Sequence, residues 1–339
     1  MVWSQGHNPM TVTEIEQHTR AAFPEWKDAT LRFDLIEKGG SGRIFVRVSG
    51  LPDGGAVIAM FYLNDRADNK RFAPVTDFLN RHDIPAPAVV RRDEKKNLLW
   101  VEDLGEIDLG SLETSDWIEF RAPAYREALK AVFRLHSIVE EDAPDDLPEL
   151  EPPFNEALYT WEQEYFLEQY VTRFLSPETA ATLAASSEMK SLRDELAKLP
   201  RSLLHRDFQS TNVMMPGGEA HLIDYQGLRW GVPEYDLASM VYDPYITFSD
   251  SEREELVEYY FSLKREAGHA TTREEFQKRL NQCATQRLMQ AMGAYGFLSE
   301  VKGKTEFLQH IPAAAARLVA LSEQEGGLLP LKAVLQGAG

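Results

Sequence analysis

One stretch of 22 residues constrains this chain more than any other. It reads Leu203-Leu204-His205-Arg206-Asp207-Phe208-Gln209-Ser210-Thr211-Asn212, reaches a turn at Pro216-Gly217-Gly218, and resumes as Leu222-Ile223-Asp224. The turn folds the segment back, so Asn212 and Asp224 come to one place. Asp207 falls in a loop, where a carboxylate can accept a hydrogen bond from a hydroxyl. Asn212 and Asp224 supply one neutral and one anionic oxygen, hard donors that suit Mg2+ alongside phosphate and water. An aspartate at a loop start also serves as a helix cap, and His-x-Asp by itself carries little. His-Arg-Asp, an asparagine five residues on, a glycine turn and a strand-borne acid together point to phosphoryl chemistry. That chemistry needs an oriented hydroxyl, a divalent metal and charge neutralisation more than covalent help.

Composition narrows the alternatives. The chain has 339 residues and a net charge of −18, which argues against a nucleic-acid backbone binder and against docking on an anionic membrane. A single cysteine, Cys283, excludes an internal disulfide and a multi-cysteine metal site. On a helix that reads as polar it is a poor nucleophile candidate. His136, His205 and His221 lack zinc-ligand spacing; His136 reads as a core residue. No run approaches 18 apolar residues, and Met1 to Met10 is a polar lead without signal-peptide character, so a cytoplasmic location is expected.

Periodicity divides the chain near Gly105. The first hundred residues read as strands with one helix. A strand covers Leu31 to Glu37, and residues 43–63 form a hairpin around Pro52-Asp53-Gly54-Gly55. Phe72, Val75 and Leu79 mark a helix over 66–81, and Leu98 to Val101 marks a further strand. Beyond Gly105, helical patterns occupy 118–139, 155–174, 177–198, 252–267 and 273–301. The acidic, proline-rich residues 140–153 read as a solvated connection, with a cation-attracting patch as the sharper alternative. The expected architecture is α+β and bilobal, a small β-rich lobe (1–105) joined to a larger helical lobe (106–339).

The segment 201–240 resembles the aminoglycoside phosphotransferase/choline-kinase-like superfamily, which shares the protein-kinase fold. Gly231-Val232-Pro233-Glu234-Tyr235-Asp236-Leu237-Ala238 resembles the segment that follows in that superfamily. Only eleven residues separate Asp224 from Asp236, too few for a phosphorylatable activation segment, so a small-molecule acceptor is expected. Tyr242-Asp243-Pro244-Tyr245-Ile246, Gln286-Arg287, Met292 to Gly296 and Trp100 to Gly105 are similar to bacterial anomeric N-acetylmuramate/N-acetylglucosamine kinases of cell-wall recycling. The similarity extends over roughly residues 30–320.

This resemblance implies ATP and Mg2+ as cofactors. It implies Asp207 as the catalytic carboxylate, Asn212 and Asp224 as metal ligands, and His205 and Asp236 as loop braces. Arg206 reads as a loop or surface residue. Gln209, Asp243 and Tyr245 are candidate sugar contacts, each equally readable as structural. Gly39-Gly40-Ser41-Gly42 reads as a phosphate-covering loop, or as a simple hairpin turn. Glu102 to Leu104 resembles the hinge that hydrogen-bonds adenine.

One departure stands out. Where a kinase third strand carries lysine, this chain has Met60 in Val57-Ile58-Ala59-Met60, and the following helix offers Asp68 and Asp77 but no glutamate. Losing both members of an ion pair together is coherent, because either charge buried alone is costly. Arg43, Arg47, Lys38 and Lys70 are candidates to supply the missing positive charge. The leading expectation is a sugar kinase acting on a small amino sugar. An aminoglycoside or amine kinase, and a ligand-sensing pseudokinase, are the alternatives.

Overall fold

The computed structural model describes residues 10–36, 43–63 and 67–336. The N-terminal elements are α1 (Val12–Ala22), β1 (Arg32–Ile36), β2 (Ile44–Ser49), β3 (Ala56–Phe61), α2 (Ala67–Arg81), β4 (Val89–Asp93) and β5 (Leu98–Glu102). Their strands form one antiparallel sheet in the order β1-β2-β3-β5-β4. The period of two assigns its faces. Val57, Ala59 and Phe61 of β3 pack with Ile15 and Phe23 of the α1 region, whereas Met60 joins Val75, Phe78 and Leu79 of α2.

The sequence pattern anticipated one helix in this region, and α1 is a second. Its signal is a capping box: Thr11 Oγ1 accepts from the Glu14 amide while the Glu14 carboxylate accepts from the Thr11 amide. The apolar face is short, Ile15 with Phe23 just beyond the helix end, so the helix is fixed by the sheet beneath it more than by its own periodicity. Trp100 Nε1 donates to Thr19 Oγ1 at 2.9 Å and ties α1 to β5.

The rest of the chain is mainly helical: α3 (Ala122–His136), α4 (Glu156–Phe166), α5 (Pro177–Ala184), α6 (Ser187–Leu196), α7 (Glu234–Val241), α8 (Asp250–Glu266), α9 (Arg273–Glu300), α10 (Ile311–Ser322) and α11 (Pro330–Gln336). Between α6 and α7 lie four short strands, β6 (Ser202–Leu204), β7 (Val213–Met214), β8 (His221–Leu222) and β9 (Arg229–Gly231). They pair as β6 with β9 and β7 with β8, both antiparallel. The expected α+β fold, with a β-rich N-terminal part and a helical C-terminal part, is the observed one.

Two helical patterns break where single helices were expected. The 155–174 pattern becomes α4 followed by a π-helical segment, Leu167–Leu175. The 177–198 pattern becomes α5 and α6, because Ser186 turns its hydroxyl to the Met189 amide and starts a new helix. Buried α9 lies against α4 and the π segment through Gly293 and Gly296. A Cβ on Gly296 would stand 2.1 Å from the Gln169 carbonyl oxygen. Cys283 is buried inside α9, not on a polar face.

The acidic connection is not merely solvated. Asp146 pairs with Arg81 at 2.8 Å and His82 at 2.9 Å, Glu149 and Glu151 both pair with Arg71, and Glu140 pairs with Arg201. Arg71 and Arg81 belong to α2, so the loop straps that helix to the helical part. These pairs neutralise much of the charge that a cation-attracting patch would need. Among the described residues no helix is long and apolar enough to cross a membrane.

Candidate active site

The loop between β6 and β7 carries Asp207, and a buried acid behind it sets its path. Asp236, at the start of α7 and fully buried, accepts from the backbone amides of His205 (2.7 Å) and Arg206 (2.8 Å) and from His136 Nε2 (3.0 Å). His136 in turn reaches the Tyr260 hydroxyl through Nδ1. His205, also fully buried, contacts the Ile223 carbonyl through Nε2 at 2.9 Å. Arg206 adopts a left-handed backbone, φ 78°, which turns the chain so that Asp207 leaves the core.

Asp207 lies between two guanidinium groups. Arg206 Nη1 donates to Oδ2 at 2.5 Å, and Arg287 Nη2, from α9, stands 3.4 Å from Oδ1. Burial alone would raise the carboxyl's pKa. The two positive charges outweigh it and pull the value down to about 2. Arg206 therefore touches Asp207 itself, a closer position than the loop or surface placement expected of it. Arg287 also donates to Ser239 Oγ at 3.0 Å and to Gln290 Oε1.

The β7–β8 ribbon brings the two proposed metal ligands together. Val213 faces Leu222 in the register, and the Ile223 amide donates to the Asn212 carbonyl at 3.0 Å. Asn212 directs its side-chain amide nitrogen to the Asp207 carbonyl at 2.9 Å. Its Oδ1 is not engaged by any described donor. Asp224 follows Ile223 with φ 60°, and its side chain is about half exposed. Its Oδ1 accepts from Gln226 Nε2 at 3.1 Å and faces Arg43 Nη1 at 3.5 Å. One carboxylate and one amide oxygen fit Mg2+, which keeps water and phosphate in its remaining positions. Among the described residues no cluster of three or more His, Cys, Asp or Glu could hold a metal. A phosphate-completed Mg2+ site does not require one.

The other expected site residues fall in three groups. Asp243 is fully buried: its carboxylate accepts from the Ser210 amide and hydroxyl (3.1 and 2.7 Å) and from the Tyr245 amide (3.0 Å). Burial raises its pKa. With both oxygens engaged it braces the loop after Asp207 and does not open to an acceptor. Gln209 and Tyr245 are half-buried. Tyr245 meets the His310 ring edge-on at 4.4 Å and lies beside Tyr295. In the segment expected to form the hinge, Glu102 uses its amide on the Ala88 carbonyl (2.9 Å) and its carboxylate on the Ala88 amide (3.1 Å). Its N–H is thus committed, and the Leu104 side chain is buried. Gly39, Gly40, Ser41 and Gly42 lie outside the described residues.

Sequence reasoning missed the polar layer beneath Asp207. Glu162 of α4, almost fully buried, accepts from the Tyr235 hydroxyl (2.9 Å) and Gln286 Nε2 (3.0 Å), and burial raises its pKa. Gln286-Arg287 was visible only as a local resemblance, because a charge in mid-helix does not announce which way it points.

The sequence profile of the phosphotransferase enzyme family matches residues 35–274. A curated N-acetylmuramate/N-acetylglucosamine kinase of Neisseria meningitidis serogroup B is 24% identical over 326 residues, covering 95% of this chain and 94% of the relative. One from Pseudomonas putida is 24% identical over 249 residues, 71% of this chain and 69% of that one. Among solved structures, a choline/ethanolamine kinase family protein from Mesorhizobium loti superposes with a TM-score of 0.64 at 16% identity, covering 96% of this chain and all of the other. An aminoglycoside-3'-phosphotransferase of type VIII gives 0.51 at 16% identity, over 81% and 98%.

Proposed function

The chain belongs to the phosphotransferase enzyme family, and we propose that it transfers the terminal phosphoryl group of ATP to the anomeric hydroxyl of an N-acetylmuramate- or N-acetylglucosamine-type amino sugar, in the cytoplasm and in the service of cell-wall recycling. The carrying observation is the setting of Asp207 between Arg206 and Arg287. A carboxylate held at a pKa of about 2 is a weak base. It suits an acceptor hydroxyl more acidic than an ordinary alcohol, and an anomeric hydroxyl is one. The names of the relatives support the same acceptor.

In this reading Asp207 accepts a hydrogen bond from the sugar's C1 hydroxyl and aims its oxygen at the γ-phosphorus. As the new P–O bond forms, the bond to the β–γ bridging oxygen breaks and ADP leaves. The hydroxyl proton moves to Asp207 and then to solvent. Little basicity is needed, because a loose transition state does not wait for a free alkoxide. Asn212 Oδ1 and Asp224 would hold Mg2+, which when bound offsets the phosphate charge. The Leu104 amide would take the adenine edge. Gln209 and Tyr245 are proposed to face the sugar, and Asp243, through Ser210, to keep the loop in place.

The test is product analysis. Protein, ATP and Mg2+ are incubated with N-acetylmuramate, N-acetylglucosamine, an aminoglycoside and choline, with Asp207→Asn as control. The expected product is an acid-labile phosphate that has lost the sugar's reducing end, absent with Asp207→Asn. Turnover of the aminoglycoside or choline alone would replace this reading with that acceptor. No ATP consumption with any compound would point to the pseudokinase alternative.

A further inference from the structure

A phosphoryl-transfer site needs a fixed cation beside the nucleotide phosphates, and the third strand does not supply it. Met60 is fully buried between Phe45 and Leu99 and packs beneath α2. Of the four cations considered from sequence, Arg47 is committed to Asp103 (2.7 Å) and the Gly105 carbonyl (3.0 Å) at the hinge. Lys70 is exposed on α2, and Lys38 lies outside the described residues. Arg43, one residue before β2, is different. Its side chain is only 3% exposed, and Nη1 stands 3.5 Å from Asp224 Oδ1.

The guanidinium is aimed by α2. Arg43 Nε donates to Asn69 Oδ1 at 2.8 Å, and Asn69, itself buried, anchors its amide nitrogen on the Leu63 carbonyl at 2.7 Å. One turn further along α2, Phe72 stacks on Tyr225 at 5.4 Å, and Thr76 Oγ1 meets the Tyr225 hydroxyl at 2.6 Å. Tyr225 directly follows Asp224. The helix that orients Arg43 is therefore fastened to the residue beside the metal carboxylate.

We propose that Arg43 is the phosphate-contacting cation of this site, in place of the third-strand lysine, and that Asn69 is its positioning residue. The proposal rests on the kinase reading above. Its chemistry is self-consistent. An arginine stays charged at this depth, where a lysine would tend to lose its proton. Asn69 holds Nε while Nη1 faces Asp224, beside which the triphosphate would lie.

Binding of Mg2+ with a non-hydrolysable ATP analogue, compared with binding of adenosine, separates the possibilities. Arg43→Met is expected to weaken the triphosphate at least 10-fold and to leave adenosine within about 2-fold, since adenosine uses only the hinge. Asn69→Ala is expected to weaken the triphosphate several-fold with the same adenosine affinity, and to raise KM for ATP more than it lowers kcat. Should Arg43→Met fail to fold, Asn69→Ala carries the comparison. If either folded variant binds the triphosphate like wild type, the assignment of Arg43 is overturned while the kinase reading stands. If wild type binds neither compound, both fall.

Discussion

Arg287 and Asp207 are eighty residues apart in the chain, and their charged groups are 3.4 Å apart in the fold. The guanidinium rides on α9 and reaches the loop after β6 from behind. With Arg206 it decides the protonation of the acid, against a burial effect of opposite sign. A group whose pKa is lowered by folding stays ionised as pH falls, and protonates only near its folded value. Asp207 is thus expected to remain a carboxylate down to about pH 2.

Replacing Arg287 with methionine removes one of the two opposing charges, so the Asp207 pKa should rise by about one unit. The change is upward, so loss of the carboxylate on acidification begins at higher pH in the variant. A carbon-13 titration of the Asp207 carboxyl reads this directly, and kcat should fall about 10-fold or more. An Arg287→Lys variant should lie between. Coincident titrations in wild type and Arg287→Met would show that the pair is incidental.

Asp224 and Asn212 are brought together by the β7–β8 ribbon, and each is expected to contribute to holding Mg2+. Asp224→Ala should raise the Mg2+ concentration needed for half-maximal nucleotide binding about 10-fold or more, and Asn212→Ala by less. Adenosine affinity should not move in either. A Mg2+ titration of triphosphate binding checks this; an Asp224→Ala curve that overlays wild type would refute the metal assignment.

Away from the site, Lys264 of α8 donates to Glu234 of α7 at 2.6 Å, with both side chains buried. Burial pushes the Glu234 pKa up, but Lys264 holds it below the usual range. Lys264→Met would strand a buried carboxylate and should cost about 3–5 kcal/mol in urea unfolding. The double variant Lys264→Met, Glu234→Leu should recover most of that loss. A single variant that unfolds like wild type would mean that water reaches the pair.

Gly296 marks where α9 lies against the π segment. Gly296→Ala places a methyl group 2.1 Å from the Gln169 carbonyl oxygen, and backbone cannot swing aside as a side-chain tip can. A loss of about 1–3 kcal/mol is expected, visible as a lowered denaturation midpoint with an unchanged denaturant slope. An unchanged midpoint would show that the helices move apart at little cost.

What the sequence determined by itself was local. The local path that carries His205, Asp207, Asn212 and Asp224 was legible because a turn and two short strands bring residues close in sequence close in space. The hairpin of β2 and β3 was legible from its β-forming residues and the Pro52-Asp53-Gly54-Gly55 turn between them. Helix α1 was missed, although Thr11 and Glu14 signalled it, because a short apolar face takes its stability from the sheet it covers. Tertiary structure alone decided the rest. It set Arg287 against Asp207, buried Asp243 under Ser210, and brought Arg43 to Asp224 by way of Asn69. It also turned the acidic connection into a strap on α2. Each of these is a contact between charged or polar groups far apart in the chain. A side chain's charge can be read from its letter, but its partner depends on which surfaces the packing brings together.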